Sequence, residues 1–217
     1  MRTKTMDNYL LDLIDRMNDT SDQIMEPGFE SSKTISWKAL REAEKLGDVN
    51  LVSQMIDFID NEKNKKRRDK AYFILGHIAK NTDDTEAMQY LIHRIDKEKD
   101  KYIISSLLNR IAELNKPVGT DLKPIINATK NGNWLIRHSA IHALKNSQEE
   151  IAEKTLIKIL DNSDDPKDLT YSNSTLNRIG TANAIPYIEK HLSSRKRDVK
   201  HSAKFAIEEI KKRNGIN

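Results

Sequence analysis

Ile136-Arg137-His138-Ser139-Ala140-Ile141-His142-Ala143-Leu144 is the stretch on which the fold turns. A small residue, Ala140, is followed four positions later by an aliphatic one, Leu144, at the spacing that puts both on one side of a helix. The same pair recurs as Ala71 and Leu75, Ile104 and Leu108, Ser172 and Leu176, and Ala203 and Ile207. Successive pairs lie 33, 36, 32 and 31 residues apart. A third position, seven after the first, reads Ile78, Ile111, Ser147, Ile179 and Ile210, with one polar exception. A fixed period of this size marks stacked helix pairs, because one pair cannot bury its apolar side alone and neighbours must complete the core.

The intervening sequence supplies the partner helices, expected over 84–96, 121–130, 149–161 and 183–193. Stop and start chemistry agrees. Gly47-Asp48 ends one helix and caps the next, and Asn81-Thr82-Asp83-Asp84 separates two more. Pro117 and Gly119 break the chain, Ser147-Gln148-Glu149-Glu150 reads as a capping box, and Asp165-Pro166 reads as an N-cap before a first-turn proline. Trp37–Leu46 and Val49–Ile59 read as an earlier, degenerate pair. The fold expected is all-α, a right-handed α-solenoid of about five to six helix pairs. It forms a single domain over 1–217, with an N-terminal capping helix in 1–30, a degenerate repeat in 31–65, regular repeats in 66–210 and a polar tail Lys211–Asn217.

Composition narrows the function classes. The 217 residues are 37% hydrophobic, 32% charged and 6% aromatic, with 7 Gly and 5 Pro, which excludes collagen, low-complexity sequence and a turn-rich β-sandwich. The absence of Cys excludes a disulfide scaffold, a Cys zinc site and a thiol nucleophile. No apolar run approaches the roughly 20 residues of a membrane span. Asp12 and Asp15 interrupt what would otherwise be an export signal, so a cytoplasmic location is expected. The phosphate-binding, dinucleotide, zinc-protease and nucleophile-elbow motifs are absent. No cofactor is expected.

Ile136–Leu144 and Val199-Lys200-His201-Ser202-Ala203 resemble the first helix of HEAT repeats, with an aliphatic-basic pair, a small residue and then an aliphatic one. Thr181-Ala182-Asn183-Ala184-Ile185-Pro186-Tyr187-Ile188 resembles the start of the second helix in HEAT-like repeats of the phycobilin-lyase type. The resemblance covers roughly residues 66–210. The period is shorter than the usual HEAT or armadillo unit of about 40–47 residues. Tetratricopeptide repeats rank second, since their Trp-Leu-Gly-Tyr pattern is not visible. The resemblance speaks to architecture, and the extended concave surface of a solenoid is the usual binding face, which points to a binding scaffold. It also admits an alkylpurine DNA glycosylase-like enzyme, for which Trp134, Tyr171 and Arg137 are the candidate side chains, and, ranked last, an accessory role toward a bilin.

Charge carries the functional reading. Three positions before the small residue stand Arg68, Lys101, Arg137, Leu169 and Lys200, so four of five repeats place a cation in one slot. Such a basic ladder either bridges to acidic groups at the neighbouring turn, the preferred reading, or lines an anion-binding stripe. Connections from second to first helices are rich in Lys and Arg, as at Lys63–Arg68, Lys97–Lys101, Lys130 and Arg195–Arg197. The reverse turns hold Asp83, Asp84 and Glu86, then Glu149 and Glu150; Asp161, Asp164, Asp165 and Asp168 break the rule. On the second helices, Tyr90, Arg94, Lys97, Lys154, Lys158, Tyr187 and Lys190 lie opposite the apolar side and are expected to line a concave binding face. His138 and His142 share a helix face at metal-ligand spacing, but no third ligand is specified. The variable slot of His138 reads as surface, and no metal is expected. The function expected is a non-catalytic interaction scaffold for an acidic protein partner; nucleic-acid binding is the alternative.

Overall fold

The structure is a computed structural model that describes residues 7–23 and 28–216. Part of the expected 1–30 cap therefore lies outside the described residues. Among those described there are twelve α-helices and no strand, only an isolated parallel bridge between Lys116 and Ser147. No helix among them is long and apolar enough to cross a membrane. The expected all-helical repeat fold is thus present. The chain divides into two compact units, Met1–Leu91 and Ile92–Asn217, where the sequence reading had a single domain.

Unit 1 holds α1 (Asn8–Met17), α2 (Ile35–Ala43), α3 (Val52–Asn61), α4 (Lys65–Thr82) and most of α5 (Thr85–Arg94). α1 packs on α2 and α4, and α2 and α3 on α4. Leu10, Leu13, Ile14, Ala39, Met55, Ile59, Ala71, Leu75 and Ile78 are fully buried between them. Helices form in both of the expected early stretches: α2 begins at an Ile preceded by Thr34, whose hydroxyl accepts from Trp37 N, and Asp48 caps a 3-10 turn at Val49–Leu51 that leads into α3. Asn81 Nδ2 donates to the carbonyls of Glu44 (2.9 Å) and Leu46 (2.8 Å), satisfying backbone acceptors that the end of α2 leaves over.

Unit 2 holds α6 (Lys101–Ala112), α7 (Lys123–Ala128), α8 (Trp134–Ala143), α9 (Glu150–Asn162), α10 (Pro166–Ile179), α11 (Ile185–Glu189) and α12 (Arg197–Asn214). The first helices stack directly, α6 on α8, α8 on α10 and α10 on α12, while α7, α9 and α11 each pack on a first helix. The repeat positions explain this. Ala140, Ser172 and Ala203 are fully buried, as are Leu108, Leu144 and Leu176. Each such leucine contributes about 1.5–3 kcal/mol. Ile207, the corresponding residue on α12, is half-buried. Small residues let the helix backbones come close, and the polar ones among them bond across the seam. The hydroxyls of Ser105 and Ser139 share a hydrogen bond of 2.8 Å. Thr175 Oγ1 donates to Ile141 O (3.2 Å), Asn173 Nδ2 to Ser202 Oγ (3.2 Å) and Asn177 Nδ2 to Phe205 O (3.1 Å).

Two local expectations are corrected. Asp165 does cap α10 with Pro166 at its first position, but the capping box at Ser147–Glu150 does not form: Glu149 is the N-cap of α9 and makes no side-chain cap bond. Ser147 is instead held in the bridge, where Lys116 N donates to Asn146 O (2.9 Å) and Gln148 N to Lys116 O (2.8 Å). The polar tail is not a tail, since α12 runs on to Asn214. Arg213 donates to the carbonyls of Asn177 (2.9 Å) and Gly180 (2.7 Å), anchoring the last turn on the end of α10.

Two positions yield measurable consequences. A methyl group added at Gly180 would sit 2.7 Å from Leu176 O and 2.8 Å from Ile210 Cδ1. Gly180→Ala is therefore expected to lower the urea-unfolding free energy by about 1–3 kcal/mol. Lys116 is fully buried, its ammonium donating to Ile111 O (2.9 Å) and Leu114 O (2.7 Å). Burial, with Lys145 adding and Glu113 opposing, pulls it down to about 7. The unfolded chain keeps that proton to the ordinary 10.5, so it binds more protons than the folded chain between those values. Stability from this group rises as pH climbs from about 7 toward 10 and stays at its minimum below 7. Urea midpoints at pH 7.5 and 9.5 should show that rise in the parent and a flatter profile in Lys116→Met.

Candidate functional site

Unit 2 contains five Phe, Tyr and Trp side chains, and four of them stand exposed on first helices. They are Tyr102 on α6 (66% exposed), Trp134 on α8 (63%), Tyr171 on α10 (39%) and Phe205 on α12 (62%). A chain with so few aromatics that leaves these uncovered has built an apolar surface, since aromatic rings are the side chains burial rewards most. Tyr102 and Trp134 flank an open groove of about 410 Å³ between α6 and α8, lined also by Lys101, Ser106, Asn109 and Arg110.

The row continues through a polar cluster. His138 lies one turn beyond Trp134, with ring centroids 5.8 Å apart, and its imidazole stacks on Tyr171 at 5.2 Å. These two rings cover it, so His138 is 8% exposed, and the surface reading of its slot is corrected. Arg137 completes the cluster. Its Nε donates to Asp168 Oδ1 (2.9 Å) and Oδ2 (3.0 Å), and its Nη2 to Asp165 Oδ2 (2.8 Å). Asp168 Oδ2 accepts a further bond from Ser163 Oγ (3.0 Å). The bonds to Asp168 hold the Arg137 guanidinium above its ordinary value against the pull of burial. Burial would raise Asp165, but the backbone N–H groups of Lys167 and Asp168 and the charges of His138 and Arg137 outweigh it and hold that carboxyl below the usual range.

One imidazole and two carboxylates whose donor atoms all lie within 4.8 Å of one another have the composition of a metal site. Their geometry is that of an ion pair. Both carboxylates are already engaged by Arg137, and a metal would have to displace that cation. His138 Nε2 lies 3.0 Å from Asp168 Oδ1 and 3.9 Å from Asp165 Oδ2, but without the alignment of a hydrogen bond. His142 does not belong to the cluster; burial first, then the charge of Lys145, pushes it below its ordinary value. The acidic stretch that broke the charge pattern is thus countercharge. Arg137 enters it from the repeat before, and Lys190 reaches Asp161 (2.6 Å) from the repeat after.

The other expected site residues are placed as follows. Lys101 projects its ammonium over the Tyr102 ring at 5.1 Å, and Lys200 is exposed on α12. In unit 1, Arg68 donates to the carbonyls of Glu62 (2.9 Å) and Lys63 (3.3 Å), and Tyr90 donates to Asp60 (2.9 Å). Arg94 lies 3.9 Å from Glu98, and Lys154 pairs with Glu150 one turn away at 2.9 Å. Lys97 and Lys158 are exposed, Tyr187 is half-buried, and Lys190 covers the Tyr187 ring at 5.0 Å while paired to Asp161. The second-helix cations are therefore mostly matched by carboxylates of their own or the adjacent repeat. Trp134 and Tyr171 are expected from the sequence only as candidate side chains of a glycosylase-like enzyme, and Tyr102 and Phe205 are assigned to no site there. The signal was there: aromatic residues on four successive first helices.

No protein-family model matches the chain, and no curated protein matches it. Solved structures do. A designed armadillo repeat protein is 15% identical, with a TM-score of 0.53 over 93% of this chain and 99% of that one. An engineered protein is 17% identical, with a TM-score of 0.54 over 96% and 98%. A computationally designed armadillo repeat protein for modular peptide recognition is 16% identical, with a TM-score of 0.51 over 92% and 99%. At such identities the likeness is one of fold, a helical repeat solenoid.

The Arg137 cluster is testable as a structural clamp. Asp168→Asn is expected to cost about 3 kcal/mol in urea unfolding, because it leaves Arg137 short of its main partner. Arg137→Met with Asp168→Leu should recover part of that loss, since no orphaned charge remains. If the separate losses of Arg137→Met and Asp168→Leu simply add in the double variant, the pair is uncoupled.

Proposed function

We propose that this chain is a non-catalytic interaction scaffold of HEAT-like repeats, and that it holds a protein partner on the first-helix face of unit 2. The observation that carries this is the row of exposed aromatic side chains on α6, α8, α10 and α12. Tyr, Trp and Phe with flanking Arg are the residues enriched where proteins meet. The open groove beside Tyr102 and Trp134 gives them depth. The peptide-recognition purpose stated for one structural neighbour is in keeping with this use of the fold. The cations of the second helices, Arg94, Lys97, Lys154, Lys158 and Lys190, then form a secondary rim.

The cluster that looks most like a catalytic centre argues for the same conclusion. A base or nucleophile needs a carboxylate or imidazole facing a substrate. Asp168 is instead saturated by Arg137 and Ser163, and His138 is roofed by Trp134 and Tyr171. A glycosylase-like reading would place its chemistry on these carboxylates.

Trp134→Ala should leave the far-ultraviolet circular dichroism unchanged and cost about 1 kcal/mol, as the ring is largely exposed but also covers His138. Affinity capture from source extract with the full chain should yield a partner that Tyr102→Ala with Trp134→Ala no longer retains. A partner retained by that double variant, or a capture abolished by nuclease treatment, would overturn the reading.

A further inference from the structure

Charge is divided unequally between the two units. Residues 1–91 carry 14 Lys and Arg against 17 Asp and Glu, a net of −3, while residues 92–217 carry 23 against 16, a net of +7. The whole-chain value of +4 conceals this. Five cations of unit 2 line two hollows beside its first helices. Lys101 and Arg110 line the groove between α6 and α8. Lys167, Lys196 and Arg197 line a second hollow of about 400 Å³ between the starts of α10 and α12. The one carboxylate lining that hollow, Asp198, pairs with Lys167 at 3.2 Å with both side chains some three-fifths exposed, a contact that water and salt weaken. Asp165 and Asp168 are already engaged by Arg137.

Geometry sets the form of the occupant. Packed helix axes lie about 8–10 Å apart, so the three steps from α6 to α12 span roughly 24–30 Å. An extended chain rises about 3.3 Å per residue, so every third side chain meets a new helix and some nine residues cross the face. Between the aromatics, the exposed Asn109 and half-buried Ser106 offer donors and acceptors to a peptide backbone.

Resting on the scaffold reading above, we propose that the partner segment is an extended, acidic peptide, with a bulky apolar side chain seated between Tyr102 and Trp134 and its carboxylates directed to Lys101 and to the Lys167–Arg197 hollow. Attraction between exposed charges is screened over a Debye length of about 10 Å at 0.1 M salt, so this recognition weakens as salt rises.

The probe is a random 12-residue phage-displayed peptide library panned on the immobilised full chain, with enriched peptides resynthesised with a fluorophore for anisotropy. Enriched sequences are expected to be net negative and to carry an aromatic residue. Their affinity should fall about tenfold with Lys101→Glu plus Lys167→Glu, a change of about 1.4 kcal/mol. Binding should be lost with Trp134→Ala. Thermal unfolding of each variant confirms that the fold is intact. Neutral or basic winners that still depend on Trp134 would overturn the acidic assignment and leave the scaffold reading standing. Winners indifferent to Tyr102→Ala and Trp134→Ala would overturn both. Displacement of the peptides by oligo(dT) at lower concentration than by unlabelled peptide would assign the face to single-stranded nucleic acid and overturn both.

Discussion

The close approach of the first helices is the constraint from which the rest of unit 2 follows. Ala140, Ser172 and Ala203 have no bulk to hold α8, α10 and α12 apart, and Ser105, Ser139, Asn173, Thr175 and Ser202 bond across the resulting seam. Small side chains permit the contact, and the hydrogen bonds make it costly to slip, because a buried polar group left without its partner is penalised. Once these helices touch, the leucine four residues on is driven into the core, and the opposite side of each helix is committed to the surface. The exposed aromatics sit on that side. A binding face is therefore a by-product of how the repeats close, with its chemistry decided by which residues occupy the leftover positions.

Electrostatics reinforces the stack at specific joints. Arg137, Asp165 and Asp168 clamp α8 to the start of α10, and Lys190 reaches back to Asp161. Arg213 closes the last repeat on the end of α10. These contacts join residues about 30 apart, one repeat period, so each helps fix register between neighbours. In unit 1 the same device recurs: Arg16 pairs with Glu42 at 2.8 Å, and Arg67 pairs with Asp15 and with Glu62. A cation buried in such a pair is a fastener, and recognition falls to exposed ones such as Lys101 and Lys167.

Legibility of the candidate site divided along the same line. The aromatic residues could be located on first helices from their register, yet their common exposure depended on which side of each helix the neighbouring repeat covers. His138 shows the limit most clearly. Its slot holds unrelated residues in other repeats, which suggested solvent, but the rings of Trp134 and Tyr171 come from one turn earlier and one helix later to roof it. Lys116 is a second case. Nothing in its local sequence marks it as buried; its backbone is held in the bridge to Ser147 and its ammonium turns back to the carbonyls of Ile111 and Leu114.

From the amino-acid sequence alone came the all-helical class, the repeat period, the identity of the core positions and the cap at Asp165-Pro166. Each of these rests on interactions within about one turn or on periodicity, which is written along the chain. Tertiary structure alone decided that Ser147 would join a bridge in place of a capping box, that α12 would run to Asn214, that the chain would form two compact units, and that the acidic stretch 161–168 would answer Arg137 and Lys190. These outcomes depend on which distant side chains meet, and a one-dimensional pattern records spacing along the chain, not distance across it.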